Sequence, residues 1–472
     1  MREVDPAALP LPIVQRRRAR RLAVWNAAVW AVGNGLASTT LVVYLAYELH
    51  VPRVGLGIGL IVAAPQIVGL LRLGAPAMIG RLASRKGFCA TAFLLSALLL
   101  LILPWLAAPG RLPSAGQSLA ALIGLWCLCH LLQYLGTVAL WSWLADLVPA
   151  RIRGRFLGKR ERWLVAGQAA GALCAGLFAW GFPREHPQLP GWIAYAIPAG
   201  VGAAFMLAAI VPLWLMPPAA NRPAQGGQSH FRGDQVLSHR NVAGAAKIGT
   251  VPCERLPWRA MFAPLADARF LRLLLFGCWF SFFNGVTQSA QNVYPIQVLG
   301  ITLLVSLALQ TFMRLGQSAV SPALGALADR WGNRPVMIGS QLLVAAGLLC
   351  FPAATRDQWG WFAGAWVLWI AYAGLNVCLP NLLLKLSPGE SNTPYIAAFY
   401  AITGLCYAAS TIMGGALLDR YHAASITIYR SGMTLDFYQC IFVFGWAARS
   451  LGAVLLLWVI EPHVLLTLRV RD

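Results

Sequence analysis

The chain has 472 residues, of which 58% are hydrophobic and only 11% are charged, and its formal net charge is +21. Soluble proteins carry about 25% charged residues, so this composition excludes a water-soluble domain and indicates a protein embedded in lipid. The positive charge could indicate nucleic-acid binding, but its distribution along the chain assigns it to membrane topology instead, and we expect no nucleic-acid partner.

Twelve apolar stretches are long enough to cross a bilayer, which requires about 20 residues per helix. They predict an all-α membrane protein with twelve transmembrane helices. In chain order the predicted spans are 22–47, 54–79, 88–108, 117–145, 163–182, 192–216, 270–297, 301–325, 335–353, 360–384, 394–417 and 439–460.

The basic residues lie mostly on one side of these spans. Of the 37 Lys and Arg residues, 28 fall on the side that carries both termini, counting Arg272 at the basic-side end of span 7, 6 fall on the opposite side and 3 lie deeper within spans. We call these the basic side and the Arg-poor side. Because positive residues accumulate in cytoplasmic loops, we expect both termini in the cytoplasm and the protein in a bacterial cytoplasmic membrane.

One short pattern occurs twice in the chain. Residues 80–87 (GRLASRKG) and residues 325–332 (GALADRWG) share the form G-x-L-A-[S/D]-R-x-G, and each copy lies between two apolar stretches. Asn34 in span 1 likewise matches Asn284 in span 7, each followed by glycine. The repeats predict a duplicated six-span unit and therefore two pseudo-symmetric six-helix bundles.

The domain organisation follows from this duplication. A polar segment rich in Gly, Pro, Ala and Arg separates the two sets of six spans, and its composition predicts a flexible tether. The predicted units are an N-terminal tail (1–21), an N-terminal bundle (22–217), a cytoplasmic linker (218–267), a C-terminal bundle (268–462) and a C-terminal tail (463–472).

The repeated motif resembles the signature of the major facilitator superfamily of secondary transporters. In that superfamily the loops between helices 2 and 3 and between helices 8 and 9 read G-x-L-x-D-R-x-G-R-[K/R]. The C-terminal copy fits this pattern, whereas the N-terminal copy has Ser84 in place of the usual Asp. Asp146 and the basic residues after it also resemble the superfamily's loop between helices 4 and 5. The resemblance covers residues 20–462 and implies a superfamily, not a substrate.

The resemblance implies a latch on the basic side that forms when this side closes and breaks when it opens. With Ser84 replacing the acid, the N-terminal latch should be weaker, or Arg85 should pair with Asp146. The alternative is that Arg85 and Arg330 only enforce topology. The candidate gating residues, all near predicted helix ends, are Gly80, Arg85, Asp146, Arg153, Gly325, Asp329, Arg330, Gly332 and Arg334.

Charges within the spans are of one sign. None of the sixteen acidic residues lies near the middle of a span, which removes the usual binding group for a coupling ion. Arg72 in span 2 and Arg314 in span 8 therefore lack an acidic partner, and an anionic substrate is a candidate partner. Arg314 lies deeper and is favoured. Arg449 in span 12 is ranked third, because helix 12 is peripheral in the superfamily.

Uncharged polar side chains supply the rest of the predicted site. Those of span 7 recur at helical spacing, so that most of them share one helix face. Hydrogen bonding between helices explains any single amide equally well. His130 could titrate if it faces water, but a hydrogen bond to a neighbouring carbonyl is the favoured interpretation. The predicted substrate-binding residues beside the two arginines are Asn34, Ser38, Asn284, Gln288, Gln291, Gln66, Gln310, His130 and Asn376.

The sequence thus predicts a monomeric secondary transporter that moves a small polar organic solute, with an anion as candidate, by alternating access. Its partners are this solute and the lipid bilayer. A multidrug exporter and a transport-inactive receptor on the same scaffold are the alternatives. No enzyme activity, cofactor or metal is expected, since the chain lacks a nucleotide-binding loop and Cys127 and Cys129 point apart on a helix.

Overall fold

Helices dominate the computed structural model, and a described helix coincides with each of the twelve predicted spans. We number these helices α1 to α12 by span. The residues that the structure describes are 12–52, 54–69, 71, 84–148, 150–217, 263–386, 393–428 and 433–461.

The N-terminal half contains the first six helices, and two of them are interrupted. Ser38 breaks α1, because its hydroxyl accepts a hydrogen bond from Leu41 N and caps a new helical segment. The helices are α1 (Ile13–Leu36 and Thr39–Tyr47), α2 (Val54–Gly69), α3 (Arg85–Leu106), α4 (Ala115–Leu147), α5 (Ala150–Glu185) and α6 (Ile193–Ala208 and Ile210–Leu215).

The C-terminal half repeats this order after a short 3₁₀ turn at Ala263–Ala266. The helices are α7 (Ala268–Gln297), α8 (Leu303–Trp331), α9 (Asn333–Ala346, continuing through a 3₁₀ turn to Cys350–Ala353), α10 (Gly360–Leu368, a 3₁₀ turn, then Tyr372–Leu386), α11 (Thr393–Tyr421) and α12 (Phe437–Trp458). Ten helical segments of the described chain are long and apolar enough to cross a membrane, and α2 is a shorter apolar helix.

Several helices extend beyond the predicted spans on the basic side. α1 begins at Ile13 instead of 22, α5 begins at Ala150 instead of 163, and α8 continues to Trp331 instead of ending at 325. The hydropathy of these extensions is low, so a span prediction excludes them. They are nevertheless rich in Arg, Leu and Ala, which favour helix, and the helices therefore continue beyond the apolar segment.

A β-hairpin on the Arg-poor side was not predicted. Strand β1 (Ser425–Ile428) pairs antiparallel with β2 (Met433–Asp436), with Ser425 opposite Asp436. Asp436 then caps α12, accepting a hydrogen bond from Gln439 N at 2.7 Å. The alternation of Thr and Ile residues was the available sequence signal for this hairpin.

Corresponding helices pack in the same way within each half. In the N-terminal half α1 packs on α5, where a Cβ on Gly171 would lie 2.1 Å from Val32 O. In the C-terminal half α7 packs on α11, where a Cβ on Gly414 would lie 2.1 Å from Val286 O. Only glycine permits backbones to approach this closely. The equivalent contacts support the predicted pseudo-symmetry of the halves.

Glu461, just beyond α12, ties three helices of the C-terminal half together. Its carboxylate accepts hydrogen bonds from Asn333 Nδ2 (2.7 Å) and from the backbone N–H groups of Asn333 (3.2 Å) and Arg334 (3.1 Å), which begin α9. Lys385 at the end of α10 forms an ion pair with it at 2.7 Å. Burial alone would raise the pKa of Glu461, but these hydrogen bonds outweigh burial and lower the pKa from 4.5 to about 2.

We therefore expect Glu461→Gln to lower the thermal stability of the purified protein at neutral pH, by about 1–2 kcal/mol for a partly exposed carboxylate. Because the folded-state pKa is depressed, this contribution is complete above pH 4.5 and is lost as the pH falls towards 2. Melting curves of both proteins across this range test it. A difference between them that does not shrink in acid would contradict the assignment.

Candidate binding cleft between the two halves

The two halves are joined on the Arg-poor side. Tyr44 Oη of α1 donates a hydrogen bond to Ile301 O at 2.7 Å and lies 2.9 Å from Ser306 Oγ of α8. The carboxylate of Asp419, at the end of α11, accepts hydrogen bonds from Gly55 N and Leu56 N of α2, both at 2.8 Å. These N–H groups open α2 and have no partner within their own helix, so Asp419 caps a helix of the opposite half.

One face of α8 carries polar side chains that contact the N-terminal half at intervals of four residues. Ser306 meets Tyr44, Gln310 Nε2 donates to Thr40 Oγ1 at 2.7 Å, and Arg314 Nη1 donates to Gln168 Oε1 of α5 at 2.8 Å. Their exposure rises along the helix, from buried Ser306 through half-buried Gln310 to exposed Arg314.

The described hydrogen bonds between α8 and the N-terminal half end at Arg314. Ser318 and Pro322, which follow on α8 towards the basic side, are exposed. Among the described residues, Arg314 is therefore the residue nearest the basic side at which α8 bonds the N-terminal half. Its position is mid-membrane, eleven residues from the start of α8 at Leu303 and so roughly 16 Å from the Arg-poor end.

The polar face of α7 is half-buried and is opposite the apolar face of that helix. Asn284, Gln288 and Gln291 fall within one narrow sector of α7, whereas exposed Leu275 and Phe282 occupy the other side. We assign the apolar side to lipid and the polar sector to the neighbouring helix α10 and the cleft.

The amides of this sector are engaged in local hydrogen bonds. Gln291 Nε2 donates to Thr287 Oγ1 at 2.7 Å, and Asn292 Nδ2 donates to Gln288 O at 2.8 Å. Asn284 Oδ1 accepts from the hydroxyl of Tyr372 on α10 at 3.4 Å. The sector is thus ordered before any solute arrives.

Arg449 of α12 lies deeper in the protein than sequence reasoning expected. Its side chain is completely buried, not peripheral. The guanidinium donates to Phe283 O (3.4 Å) and Asn284 O (3.3 Å) and contacts Thr287 Oγ1, while Nη1 has no partner within the described part of the chain. The sequence did carry a signal for its burial. Arg449 lies at the middle of a predicted span, and no predicted span contains an acidic residue that could pair with it.

The other predicted binding residues are scattered along the cleft. Asn34 is half-buried on α1, Ser38 caps the second segment of α1, and Asn376 is exposed on α10. Gln66 of α2 lies near Gly404 of α11, across the interface between the halves. Arg72 lies outside the described residues.

His130 of α4 is half-buried against a neighbouring ring. The indole of Trp126 meets the imidazole edge-on, with ring centroids 4.4 Å apart. Nε2 of His130 is buried and makes no hydrogen bond to the described residues. The predicted bond to a neighbouring carbonyl therefore does not form at this nitrogen.

The two copies of the repeated motif differ in local structure. Ser84 caps α3 by accepting a hydrogen bond from Gly87 N at 3.1 Å, so Gly87 lies within the first turn of that helix. In the second copy α8 continues through Asp329, and the chain turns at Gly332, whose φ is +89°. Gly332 is required there because an L side chain rarely adopts this conformation.

Only part of the predicted latch lies among the described residues. The side chains of Asp329 and Arg330 are exposed and form no hydrogen bond or ion pair with the described residues. Arg85 is half-buried at the start of α3, Gly325 is half-buried on α8, and Arg334 contributes its backbone N–H to the Glu461 cluster. Gly80 lies outside the described residues, as do the side chains of Asp146 and Arg153.

A basic cavity of about 680 Å³ lies at the basic-side ends of α1 and α5. Its described lining combines cations with aromatic side chains and contains no acid. The residues are Arg17, Arg20, Arg21, Val24, Trp25, Ala28, Phe156, Lys159 and Trp163.

Comparison with known proteins agrees with this architecture. Residues 305–470 match the model of the Major Facilitator Superfamily. The solved D-xylose–proton symporter superposes with a TM-score of 0.64 at 13% identity, covering 94% of this chain and 98% of that one. By sequence the similarity to the Major Facilitator Superfamily is confined to residues 305–470, whereas the similarity in fold extends over almost the whole chain.

Other solved transporters show the same overall similarity. The nucleoside transporter NupG aligns at 14% identity with a TM-score of 0.62, covering 95% of this chain and 100% of NupG. A bacterial homologue of the human lysosomal transporter Spinster, inward-facing and unoccupied, aligns at 12% identity with a TM-score of 0.60, covering 95% of both chains. A curated relative, the MFS-type efflux transporter ffsH of Aspergillus flavipes, is 29% identical over 117 residues. That match spans 25% of this chain and 20% of the relative's length.

Proposed function

We propose that this chain is a secondary transporter that carries a small polar organic anion across a membrane by alternating access. The superfamily fold supports transport in general, since the solved structures it resembles are named as transporters. The position of Arg314 carries the finer proposal. It is an exposed arginine near the middle of α8, bonded to Gln168 of the opposite half.

Arg314 is placed where it could contact the substrate and also respond when the two halves move against each other. An arginine at mid-membrane costs roughly 2.5–3.5 kcal/mol unless water, a partner or a ligand compensates its charge. Gln168 is neutral, so its single hydrogen bond leaves the charge available to an anion. Because the bond joins the two halves, an anion bound at Arg314 would compete with, or bridge, a contact between them.

The absence of mid-span carboxylates favours uniport or exchange over proton symport. If the basic side faces the cytoplasm, as the arginine distribution predicts, the contacts of Tyr44 and Asp419 between the halves close the outer side. Solute would then reach Arg314 from the cytoplasm past the basic cavity of α1 and α5. Its cations, Arg17, Arg20, Arg21 and Lys159, would attract anions to this entrance.

Replacing Arg314 tests the proposal in liposomes. We expect Arg314→Gln to reduce counterflow of labelled organic anions roughly 10- to 100-fold, the effect of losing about 1.5–3 kcal/mol of charged hydrogen bonding. Arg184→Gln is the matched control, because Arg184 is exposed at the end of α5 and bonds only within its own helix, to Trp180 O at 2.6 Å. Equal flux by both variants would contradict an anion site at Arg314.

Drug efflux is the second candidate, favoured by the name of the curated relative. A multidrug exporter would need an aromatic cavity. Trp143 is completely buried in the N-terminal half, and Trp141 is partly covered by the guanidinium of Arg160, 4.9 Å from its ring centroid. The same liposomes distinguish the candidates, since export predicts uptake of lipophilic cations that does not depend on Arg314.

A further inference from the structure

Arg449 and the polar face of α7 form one connected network at mid-membrane. Thr287 Oγ1 accepts hydrogen bonds from Arg449 Nη2 and from Gln291 Nε2. The same hydroxyl donates to Phe283 O at 3.3 Å. The backbone carbonyl of Asn284 accepts a hydrogen bond from Arg449, and its side-chain oxygen accepts one from the hydroxyl of Tyr372. The completely buried guanidinium of Arg449 is thereby linked to three half-buried side chains, those of Asn284, Gln291 and Tyr372.

This network lies at the depth of Arg314. Asn284 is thirteen residues from the end of α7 at Gln297, Tyr372 is twelve from the start of α10 at Gly360, and Arg449 is twelve from the start of α12 at Phe437. At 1.5 Å per residue each lies roughly 18–20 Å from the Arg-poor end, compared with roughly 16 Å for Arg314.

The charge of Arg449 is not compensated by any acid among the described residues. Its neighbouring ionisable groups are the hydroxyls of Tyr372 and Tyr407, and Nη1 is buried without a partner. Neutral oxygens satisfy hydrogen-bonding groups but do not cancel a charge. A buried, unpaired charge is weakly screened, so its field extends into the adjacent part of the cleft.

We propose that Arg449 is a specificity-determining positioning residue, which makes the α7–α10 wall of the cleft selective for anionic solutes. This inference rests on the proposed transport function and assigns its anion preference to a residue that no solute needs to touch. The anion binds at the accessible edges of Asn284 and Gln291, and Tyr372 holds Asn284 in place. Arg449 orients these groups through Thr287 and the α7 carbonyls, and its field favours the negative partner.

Matched pairs of solutes test the inference. Purified protein in liposomes is assayed for counterflow of nicotinate and nicotinamide, and of glucose 6-phosphate and glucose. We expect the wild type to prefer the charged member of at least one pair. In Arg449→Gln the ratio of anion to neutral flux should fall roughly tenfold, the effect of one charge about 10 Å away in a partly polar medium. Arg449→Lys, which keeps the charge, should retain most of the ratio.

Two controls separate selectivity from a structural role. Gln341→Leu removes a hydrogen bond to Arg449 O (2.8 Å) and so loosens α9 and α12 without changing charge; its flux ratio should stay at the wild-type value. If Arg449→Gln does not fold, Thr287→Val, which cuts the link to Gln291, should still lower the ratio.

The outcomes distinguish this inference from the proposed function. Anion counterflow with an unchanged ratio in Arg449→Gln, or in Thr287→Val if the former does not fold, overturns the inference alone. Wild-type exchange of only the neutral members overturns the proposed anion transport as well.

Discussion

Removing the Asp419 carboxylate should release the closure of the Arg-poor side. Asp419→Ala deletes the acceptor for both Gly55 N and Leu56 N, at the contact that joins α11 to α2. Hydrogen bonds to a charged group are each worth about 1.5–3 kcal/mol, and water replaces part of this once the side opens. We expect a net shift of about 2–3 kcal/mol, on the order of 30- to 100-fold, towards the state that is open on the Arg-poor side.

Hydrogen–deuterium exchange measures this release at the groups concerned. The first N–H groups of α2 have no partner in their own helix, so their exchange should accelerate in Asp419→Ala. Peptides around Tyr44 and Ile301, which form the adjacent contact, should follow.

Asp436→Ala is the matched control for this measurement. Asp436 also caps a helix on the Arg-poor side, but it acts within its own half, at Gln439 N. Its replacement should accelerate exchange only at the start of α12. Unchanged exchange at residues 54–58 in Asp419→Ala would show that the hydrogen bonds of Asp419 do not hold the two halves together.

Adding one methyl group at Gly171 should destabilise the N-terminal half. A Cβ there would lie 2.1 Å from Val32 O and 2.9 Å from Leu36 N, and backbone atoms cannot yield as a flexible side chain does. Gly171→Ala must separate α1 from α5, at a cost of about 2–3 kcal/mol. The thermal melting temperature in detergent should fall, and a larger residue should prevent monodisperse purification.

The substitution Gly181→Ala, on the same helix, should raise the stability of the protein and not lower it. Nothing lies within 4 Å of a Cβ at Gly181, so the substitution only reduces the freedom of the unfolded chain and should stabilise the protein by about 0.5–1 kcal/mol. Equal effects of the two substitutions would show that the close approach of α1 and α5 is not maintained in the membrane.

Composition and periodicity determined the architecture of this protein. The apolar stretches predicted all twelve helices, because a span must satisfy its backbone internally and present apolar side chains to lipid. The two motif copies and the Asn-Gly pairs predicted the duplication. The same stretches could not predict where helices continue beyond the apolar segment, as at Ile13 and Ala150, because helix formation there depends on propensity and not on hydropathy.

Tertiary structure decided which polar residues meet. In the sequence Asp419 only follows the end of predicted span 11, and the approach of α11 to α2 makes it the cap of another helix. Arg449 looked peripheral because its helix usually is, yet its side chain reaches inward to α7. Arg314 was predicted as a deep cation, but its contact with Gln168 joins residues 146 positions apart. Hydropathy indicates whether a segment faces lipid or water. These pairings depend instead on the angles and positions at which helices cross, and no local sequence pattern encodes that geometry.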